Sequence, residues 1–262
     1  MKHFVYLIYF VLFLTANIST YAEFQQDETY SREKTQMTEK VIGKGSKYET
    51  PYYVLKNSSS EPVVLIEAGI HGDEVAGIYA LDKLVDRISV LSGTLIIFPR
   101  MNIPAVEANR RYINKDLNSI FPGSDDGKFY EFKLAKEIYE MVAKERVQYL
   151  LTLHESKYLY NPKKPGTIAQ TIIYGVKPMP SYLTTWLELI NKSLKIKSEL
   201  FHSLYFPKEN SSTEIMVESF NLKGGFCIET WRRFNLERRI ELQTNVIFSF
   251  LDTINFKYSL KN

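Results

Sequence analysis

Cysteine is almost absent from this sequence, which has a single one, Cys227, in 262 residues. One cysteine cannot form an internal disulfide, so the small disulfide-held folds that are common outside the cell are excluded. The fold must instead be stabilised by a hydrophobic core, and a hydrophobic content of 45% is ordinary for a globular domain with a sizeable one. Cys227 lies in an apolar run, and we expect it to be a small buried side chain.

A strong excess of charge of either sign is also missing. The 33 basic and 30 acidic residues give a net charge of +3, and the basic residues are scattered along the chain. This pattern indicates no nucleic-acid partner, because such partners select a concentrated basic patch. Internal repeats and low-complexity tracts are absent as well. The sequence therefore predicts one large domain.

The apolar run at the N-terminus, residues 4–14, is too short to span a membrane comfortably. It follows a positively charged start and precedes a site of small residues, a pattern typical of a secretory signal peptide, which we place at residues 1–22. A secreted or periplasmic protein with no permanent membrane span is therefore expected. A polar leader is predicted over residues 23–50, followed by a folded domain over residues 51–262.

Apolar runs alternate with segments of helical periodicity along the folded domain. This alternation predicts an α/β fold with a mostly parallel mixed sheet, flanked by helices on both faces, in a single domain. The principal predicted strands lie at residues 62–68, 94–99, 147–153 and 226–228, and the principal helices at residues 75–85, 129–145 and 236–254. A long polar connection, residues 100–128, has no periodicity, and a loop of that length in a compact domain is usually functional.

Histidine is scarce, with four in the chain, and two of them stand at the carboxyl ends of predicted strands. His71 follows the first of those strands, and Glu74 comes three residues later; His154 follows the third strand. Open α/β sheets keep their sites at the carboxyl ends of the strands. Two histidines and a glutamate form a zinc site with one position open for water.

Glu229 stands at the end of the last predicted strand and adds a candidate acid/base to the three candidate metal ligands. Zinc lowers the pKa of a water molecule and polarises a carbonyl oxygen, so a neighbouring carboxylate can accept the proton of that water and pass it to a leaving amine. The alternative interpretation of Glu229 is a structural ion pair with Arg232 or Arg233. Asp73 is expected to be a turn residue or a partner of a zinc-binding histidine.

Six short motifs occur in a fixed order between residues 62 and 230. Together they resemble the zinc carboxypeptidase family of metallopeptidases, and their wording is most similar to its aspartoacylase and succinylglutamate desuccinylase branch. A histidine and a glutamate three residues apart are common, but the ordered set is fairly specific. The motifs are Gly69-x-His71-Gly72-Asp73-Glu74, Asn102-x-Pro104-Ala105, Arg111-Tyr112, Asp116-Leu117-Asn118, Leu153-His154 and Glu229.

The resemblance implies a zinc carboxypeptidase-like catalytic domain in which His71, Glu74 and His154 bind one zinc ion and Glu229 is the general acid/base. It also implies a role for Arg111. A guanidinium there would stabilise the oxyanion of the tetrahedral intermediate.

Recognition of the substrate's carboxylate is the point at which this chain departs from the family. The resemblance implies that Asn118 binds a terminal carboxylate, but the family usually has arginine directly after that asparagine, which allows bidentate binding. This chain has Ser119 there. Either carboxylate recognition is weakened, or the role has moved to another cation, for which the candidates are Arg110, Arg232 and Arg233.

The combined prediction is an exported, zinc-dependent amide hydrolase whose substrate is a peptide or an N-acyl amino acid. Export favours a metallocarboxypeptidase or peptide amidase, with cell-wall peptide as one candidate substrate. The alternative among enzymes is an N-acyl amino-acid deacylase of the aspartoacylase/succinylglutamate desuccinylase type. The alternative from another class is a catalytically silent module that binds a peptide or a metal.

Overall fold

The computed structural model describes residues 35–57 and 59–261. In this part of the chain the strands are β1 (Gln36–Ile42), β2 (Thr50–Lys56), β3 (Val63–Ala68), β4 (Ile88–Ser92), β5 (Thr94–Phe98), β6 (Tyr149–Ser156), β7 (Thr171–Tyr174), β8 (His202–Tyr205), β9 (Gly224–Trp231) and β10 (Lys257–Leu260). The helices are α1 (Val75–Arg87), α2 (Ile103–Glu107), α3 (Tyr130–Lys144), α4 (Leu183–Lys192), α5 (Ser212–Phe220) and α6 (Leu236–Thr253).

Eight of these strands form one mixed sheet, in the order β1-β2-β5-β3-β6-β9-β7-β8, while β4 and β10 pair separately. Four of the seven pairings in the large sheet are parallel, including those of β3 with β5 and β6 and of β6 with β9. Helices cover both faces. The predicted α/β architecture, a mixed and mostly parallel sheet in a single domain, is confirmed.

The central strand β3 supplies side chains to two separate cores, one on each face of the sheet. Val64 and Ile66 pack with α1, α4 and α6, whereas Val63 and Leu65 pack with α3 and α5. Alternate residues of a strand point to opposite faces, so a strand covered on both sides is apolar at nearly every position. This explains why β3 appears in the sequence as a continuous apolar run.

The register of the parallel strands aligns their carboxyl ends. Ala68 at the end of β3 is paired with Leu153 of β6, and the next residue of β6, His154, is paired with Glu229 of β9. The residues that leave β3, β6 and β9 therefore emerge side by side at one edge of the sheet. This is the edge at which the candidate site lies.

The N-terminal part of the domain differs from the prediction. The stretch 23–50 was expected to be a polar leader, but its residues Gln36–Ile42 form β1, which pairs antiparallel with β2. An edge strand has a neighbour on one side only, and most side chains of β1 are exposed, so its composition is polar. The folded domain thus begins before residue 51. The predicted signal peptide, residues 1–22, lies outside the described residues.

Three further strands were not predicted: β4, β8 and β10. In β8 three of the four residues are exposed, and β10 is similarly exposed, so neither has the apolar run by which a buried strand is detected. Among the described residues, no helix has the length and the apolar character needed to cross a bilayer.

Glu67 is a carboxylic acid in the middle of the buried strand β3, with an exposed fraction of 0%. Its Oε1 accepts a hydrogen bond of 2.9 Å from the hydroxyl of Thr152 on β6, while its Oε2 has no partner among the described residues. Burial raises the pKa of Glu67 to about 8, against a smaller lowering by the Thr152 hydrogen bond. The folded protein therefore holds this carboxyl as the neutral acid at neutral pH.

This burial predicts a loss of stability as the pH rises. Because the pKa of Glu67 is higher in the folded than in the unfolded state, its contribution is fully present below the unfolded pKa of about 4.3 and is lost as the pH rises towards 8. Glu67→Gln cannot ionise. Between pH 5 and pH 8 the unfolding free energy of the variant should gain about 2 kcal/mol or more relative to the parent, measured by urea denaturation.

The matched control is Glu61→Gln, at an exposed position, which should follow the parent at both pH values. If the difference between Glu67→Gln and the parent is the same at pH 5 and pH 8, the carboxyl is not held neutral by the fold.

Candidate active site

Three buried side chains converge at the carboxyl edge of the sheet: His71, Glu74 and His154. His71 Nδ1 lies 2.9 Å from Glu74 Oε1, His154 Nδ1 lies 2.8 Å from Glu74 Oε2, and the two Nδ1 atoms are 3.1 Å apart. The candidate ligand atoms all lie within 4.8 Å of one another. Two imidazole nitrogens and a carboxylate directed at one point are a donor set that suits a metal ion of the zinc type. The sequence-predicted trio is brought together.

Two glycines allow the loop after β3 to take its path. Gly69 has a φ of 73°, in the left-handed region, and a Cβ there would lie 3.0 Å from the carbonyl oxygen of Pro99. A Cβ on Gly72 would lie 2.1 Å from the backbone of Ala105. The loop therefore packs directly on the start of the long connection that follows β5, and only glycine fits at these two positions.

Asp116, in the long connection, supports His71 from the side opposite Glu74. Its Oδ1 lies 3.0 Å from His71 Nε2, and the same oxygen accepts from the backbone N–H of Asn118. With Nδ1 of His71 facing Glu74, Nε2 carries the hydrogen and donates it to Asp116. Such a carboxylate fixes the orientation of a metal-binding histidine and increases its basicity.

The supporting residue differs from the one considered in the sequence analysis. Asp73 pairs instead with Arg232, at 3.0 Å. Asp116 was visible in the sequence only as part of a family motif, without a role, because its contact with His71 spans 45 residues.

The charges of this cluster are strongly coupled. Burial would raise the pKa of Glu74, but the positive charges and hydrogen bonds of His71 and His154 hold it well below its usual range. Burial likewise opposes the ionisation of Asp116, yet the hydrogen bond and charge of His71 keep its pKa well below the usual range. The pKa of His154 is lowered by burial, which outweighs the charge of Glu74. Burial lowers the pKa of His71, but the charge of Glu74 and the hydrogen bonds with Asp116 and Glu74 raise it to about 9, so the two ionised carboxylates favour positive charge at this point.

Arg111 lies at the entrance of the cluster. Its Nη1 is 3.0 Å from Glu74 Oε1 and its Nη2 is 3.4 Å from Asp116 Oδ2, while about half of its side chain, 47%, is exposed. The structure thus brings Arg111 to the site, in reach of both the carboxylates and the solvent. Its neighbour Arg110 is exposed and makes no ion pair within the described chain.

Glu229 is buried next to His154, its paired residue on β6. Its Oε2 has no hydrogen-bond partner among the described residues. Burial raises the pKa of Glu229 well above the usual range, and the charge of Glu74 raises it further. The alternative interpretation, a structural ion pair with Arg232 or Arg233, is wrong within the described part of the chain, since Arg232 pairs with Asp73 and Arg233 is exposed.

Cys227 differs from the expected buried apolar residue. Its side chain is half-buried, and its Sγ lies 3.9 Å from Glu229 Oε1. Both residues lie on the same face of β9, two positions apart, so the thiol belongs to the wall of the site.

Asn118 and Ser119 lie in a short 3₁₀ turn, Leu117–Ser119. The side-chain oxygen of Asn118 accepts hydrogen bonds from the backbone N–H of Ser212, at 3.0 Å, and from its hydroxyl, at 3.1 Å. Ser212 begins α5, so Asn118 is fixed against the start of that helix. Sequence reasoning missed Ser212, because its contact with Asn118 spans 94 residues.

Glu155 is a second residue that sequence reasoning missed. Its backbone N–H donates to Glu74 Oε2, at 3.1 Å, and its side chain accepts from the backbone N–H of Ala76 at the start of α1. Its carboxylate also pairs with Arg239 of α6. Glu155 therefore connects Glu74, α1 and α6, and its position directly after His154 was the only sequence signal.

The fold is similar to that of a carboxypeptidase of known structure, and the family comparison is more specific. Residues 60–158 match the model of the succinylglutamate desuccinylase/aspartoacylase catalytic domain. This match confirms the resemblance drawn from the motifs.

One relative is the N-alpha-acetyl-L-2,4-diaminobutyric acid deacetylase of Halomonas elongata. It is 43% identical over 86 residues, which cover 31% of this chain and 25% of the relative. A second is a succinylglutamate desuccinylase of Pseudoalteromonas atlantica, 36% identical over 94 residues, which cover 32% of this chain and 26% of the relative. The chain thus aligns with about a quarter of the length of these curated relatives.

Among solved structures, the product-bound cell shape determinant protein Csd4 of Helicobacter pylori superposes with a TM-score of 0.72 and 21% sequence identity. The match covers 87% of this chain and 57% of Csd4. Csd4 is a D,L-carboxypeptidase that has also been solved with mDAP bound. At this level of identity the likeness concerns the fold.

The support of His71 by Asp116 predicts an effect on metal affinity. Asp116→Asn keeps the shape of the side chain but removes the charge that makes His71 more basic, so affinity for zinc should fall about 10- to 100-fold. Competition against a chromophoric chelator measures this. Asp125→Asn, whose side chain is exposed and pairs with Lys136, is the control and should bind zinc like the parent. Equal affinity in Asp116→Asn and the control would contradict the assigned support.

Proposed function

We propose that this chain is a zinc-dependent amide hydrolase of the metallocarboxypeptidase type, acting on peptides. The observation that carries the proposal is the position of Glu229: a buried carboxyl with an unpartnered oxygen beside two histidines and a glutamate that converge on one point. A general acid/base must stand next to the reacting carbonyl, and a raised pKa suits it to exchange a proton near neutral pH.

The residues fit a zinc ion by the chemistry of the donor set. His71, His154 and Glu74 would hold the ion, and these three protein ligands would leave a position open. A bound zinc ion supplies Lewis acidity, which polarises an amide carbonyl and activates water. Asp116 keeps His71 in the tautomer whose Nδ1 is free to bind.

The remaining chemistry belongs to the side chains. Glu229 accepts a proton from the attacking water and donates it to the leaving amine as the carbon–nitrogen bond breaks. Arg111, with its guanidinium at the entrance, stabilises the negative charge that develops on the carbonyl oxygen. Asn118 offers its side-chain amide to the substrate. The pairing of Arg111 with Glu74 and Asp116 holds the guanidinium close to the reacting atoms until a substrate enters.

A peptide substrate is supported by two observations. The N-terminal sequence has the pattern of a signal peptide, and a secreted or periplasmic enzyme meets peptides, including those of the cell wall. The fold is similar to that of Csd4, a D,L-carboxypeptidase.

The second candidate is an N-acyl amino-acid deacylase. It is favoured by the sequence relatives, one a deacetylase and one a desuccinylase. The carboxypeptidase and the deacylase differ in which side of the scissile amide carries the recognised carboxylate. A catalytically silent binding module is disfavoured because His71, Glu74, His154 and Glu229 are all present.

A pair of variants should distinguish zinc binding from catalysis. Glu229→Gln should keep about one zinc per chain and lose about 10²- to 10⁴-fold in kcat, because only proton transfer is removed. His154→Ala should lose both zinc and activity. Elemental analysis of the purified protein and amide hydrolysis measure the two quantities, and Glu209→Gln, at an exposed position, is the control.

The substrate panel contains peptides with free and amidated C-termini and N-acyl amino acids. Release of the C-terminal residue from free peptides alone supports the carboxypeptidase; release of acyl groups alone supports the deacylase. Zinc bound without hydrolysis of any member would favour the binding module. A parent protein that binds no zinc when zinc is supplied would overturn the proposal.

A further inference from the structure

The site lacks a cation where the family resemblance would place one. Position 119 is serine, and a carboxylate substrate still needs a positive partner. The arginines near the site are engaged or turned outward. Arg111 contacts Glu74 and Asp116, and Arg232 pairs with Asp73. Arg110 and Arg233 are exposed.

The segment before α5 is fastened directly to the turn that carries Asn118 and Ser119. The backbone N–H of Phe121 donates to the carbonyl oxygen of Asn210, at 3.1 Å, and the N–H of Ser211 donates to the carbonyl oxygen of Lys208, at 3.2 Å. Ser212, the next residue, binds the oxygen of Asn118 twice. The turn over residues 208–211 is therefore part of the same wall as position 119.

Lys208, the first residue of this turn, is half-buried. It stands four residues before Ser212, in the turn that the hydrogen bond between Phe121 and Asn210 holds against position 119. Burial and the charge of Glu229 raise the pKa of the Cys227 thiol, and the charge of Lys208 opposes that rise. The charge of Lys208 therefore reaches the wall formed by Cys227 and Glu229 on β9. No described carboxylate lies within ion-pair distance of its ammonium group.

The orientation of Asn118 adds a neutral donor. The backbone N–H of Ser212 can only donate, so the side chain of Asn118 must turn its oxygen towards it. The amide nitrogen of Asn118 then faces another direction and offers two hydrogens. A cation and an amide N–H₂ presented from adjoining turns make a site for a carboxylate.

We propose that Lys208 binds the substrate's carboxylate together with Asn118. It would thus replace the family arginine whose position is occupied here by Ser119. This assignment rests on the proposed function, since it assumes a substrate with a carboxylate near the scissile amide. Lysine offers a point charge on a flexible stem rather than a planar bidentate fork. The site therefore accepts a carboxylate in more than one position, which suits a binder of varied peptide ends.

Kinetics on paired substrates test the assignment. Lys208→Ala should lower kcat/KM for peptides with a free C-terminus by about 10- to 100-fold, the effect of a lost hydrogen bond to a charged group, and should leave C-terminally amidated peptides unaffected. Lys208→Arg should retain the preference for the free acid, and Ser119→Arg should restore it in the Lys208→Ala background. Lys192→Ala, at the exposed end of α4, is the control, and zinc content and thermal midpoint are recorded for each variant.

A binding measurement separates this assignment from the proposed function. Calorimetric titration of zinc-loaded Glu229→Gln, with and without Lys208→Ala, uses acetyl-dipeptides and their amides as probes. If the parent hydrolyses nothing but Glu229→Gln binds the free acids more tightly through Lys208, the hydrolase proposal fails and the Lys208 assignment stands. The assignment would be overturned if Lys208→Ala weakened the binding of acids and amides equally. It would also be overturned if the acids bound no more tightly than the amides.

Discussion

Parallel pairing of β3, β6 and β9 is the constraint on which the site depends. These strands are far apart in sequence, yet their register places His154 opposite Glu229 and brings the loop of His71 and Glu74 beside them. Neighbouring strands lie only about 4.8 Å apart, and a slip of one residue would turn each side chain to the other face. The apolar residues that fix this register for the two cores also fix the geometry of the polar residues at the strand ends.

Burial of several acids at one edge of the sheet would be costly without compensation. The structure resolves this in two ways. Glu74 and Asp116 are ionised and are balanced by His71 and Arg111. Glu229 has no such partner among the described residues, and it is further disfavoured as an anion by Glu74. The same cluster therefore creates an attraction for a cation and a carboxyl with a raised pKa, a combination that suits proton transfer near neutral pH.

The sequence revealed the residues that follow buried strands but few of those that support them. His71, Glu74, His154 and Glu229 could be found because each comes at or just after the end of an apolar run. Asp116, Glu155 and Ser212 could not be assigned roles, since their contacts arise only when distant segments pack. The edge strands β1 and β8 were missed for a related reason: a strand exposed on one side has no continuous apolar run, and its polar composition resembles that of a loop.

The position of a cation in this site has consequences for how substrate choice is encoded. An arginine at position 119 would lie within the 3₁₀ turn, directly after the family motif Asp116-Leu117-Asn118. With serine there and lysine at position 208, the charge is carried by a turn whose attachment to the site is a backbone hydrogen bond to Phe121 and the contact of Ser212 with Asn118. Changes in the length or path of that turn would move the charge without altering any of the metal-binding or acid/base residues. The motifs therefore specify the reaction more closely than they specify the substrate, and specificity in this chain follows from the segment before α5.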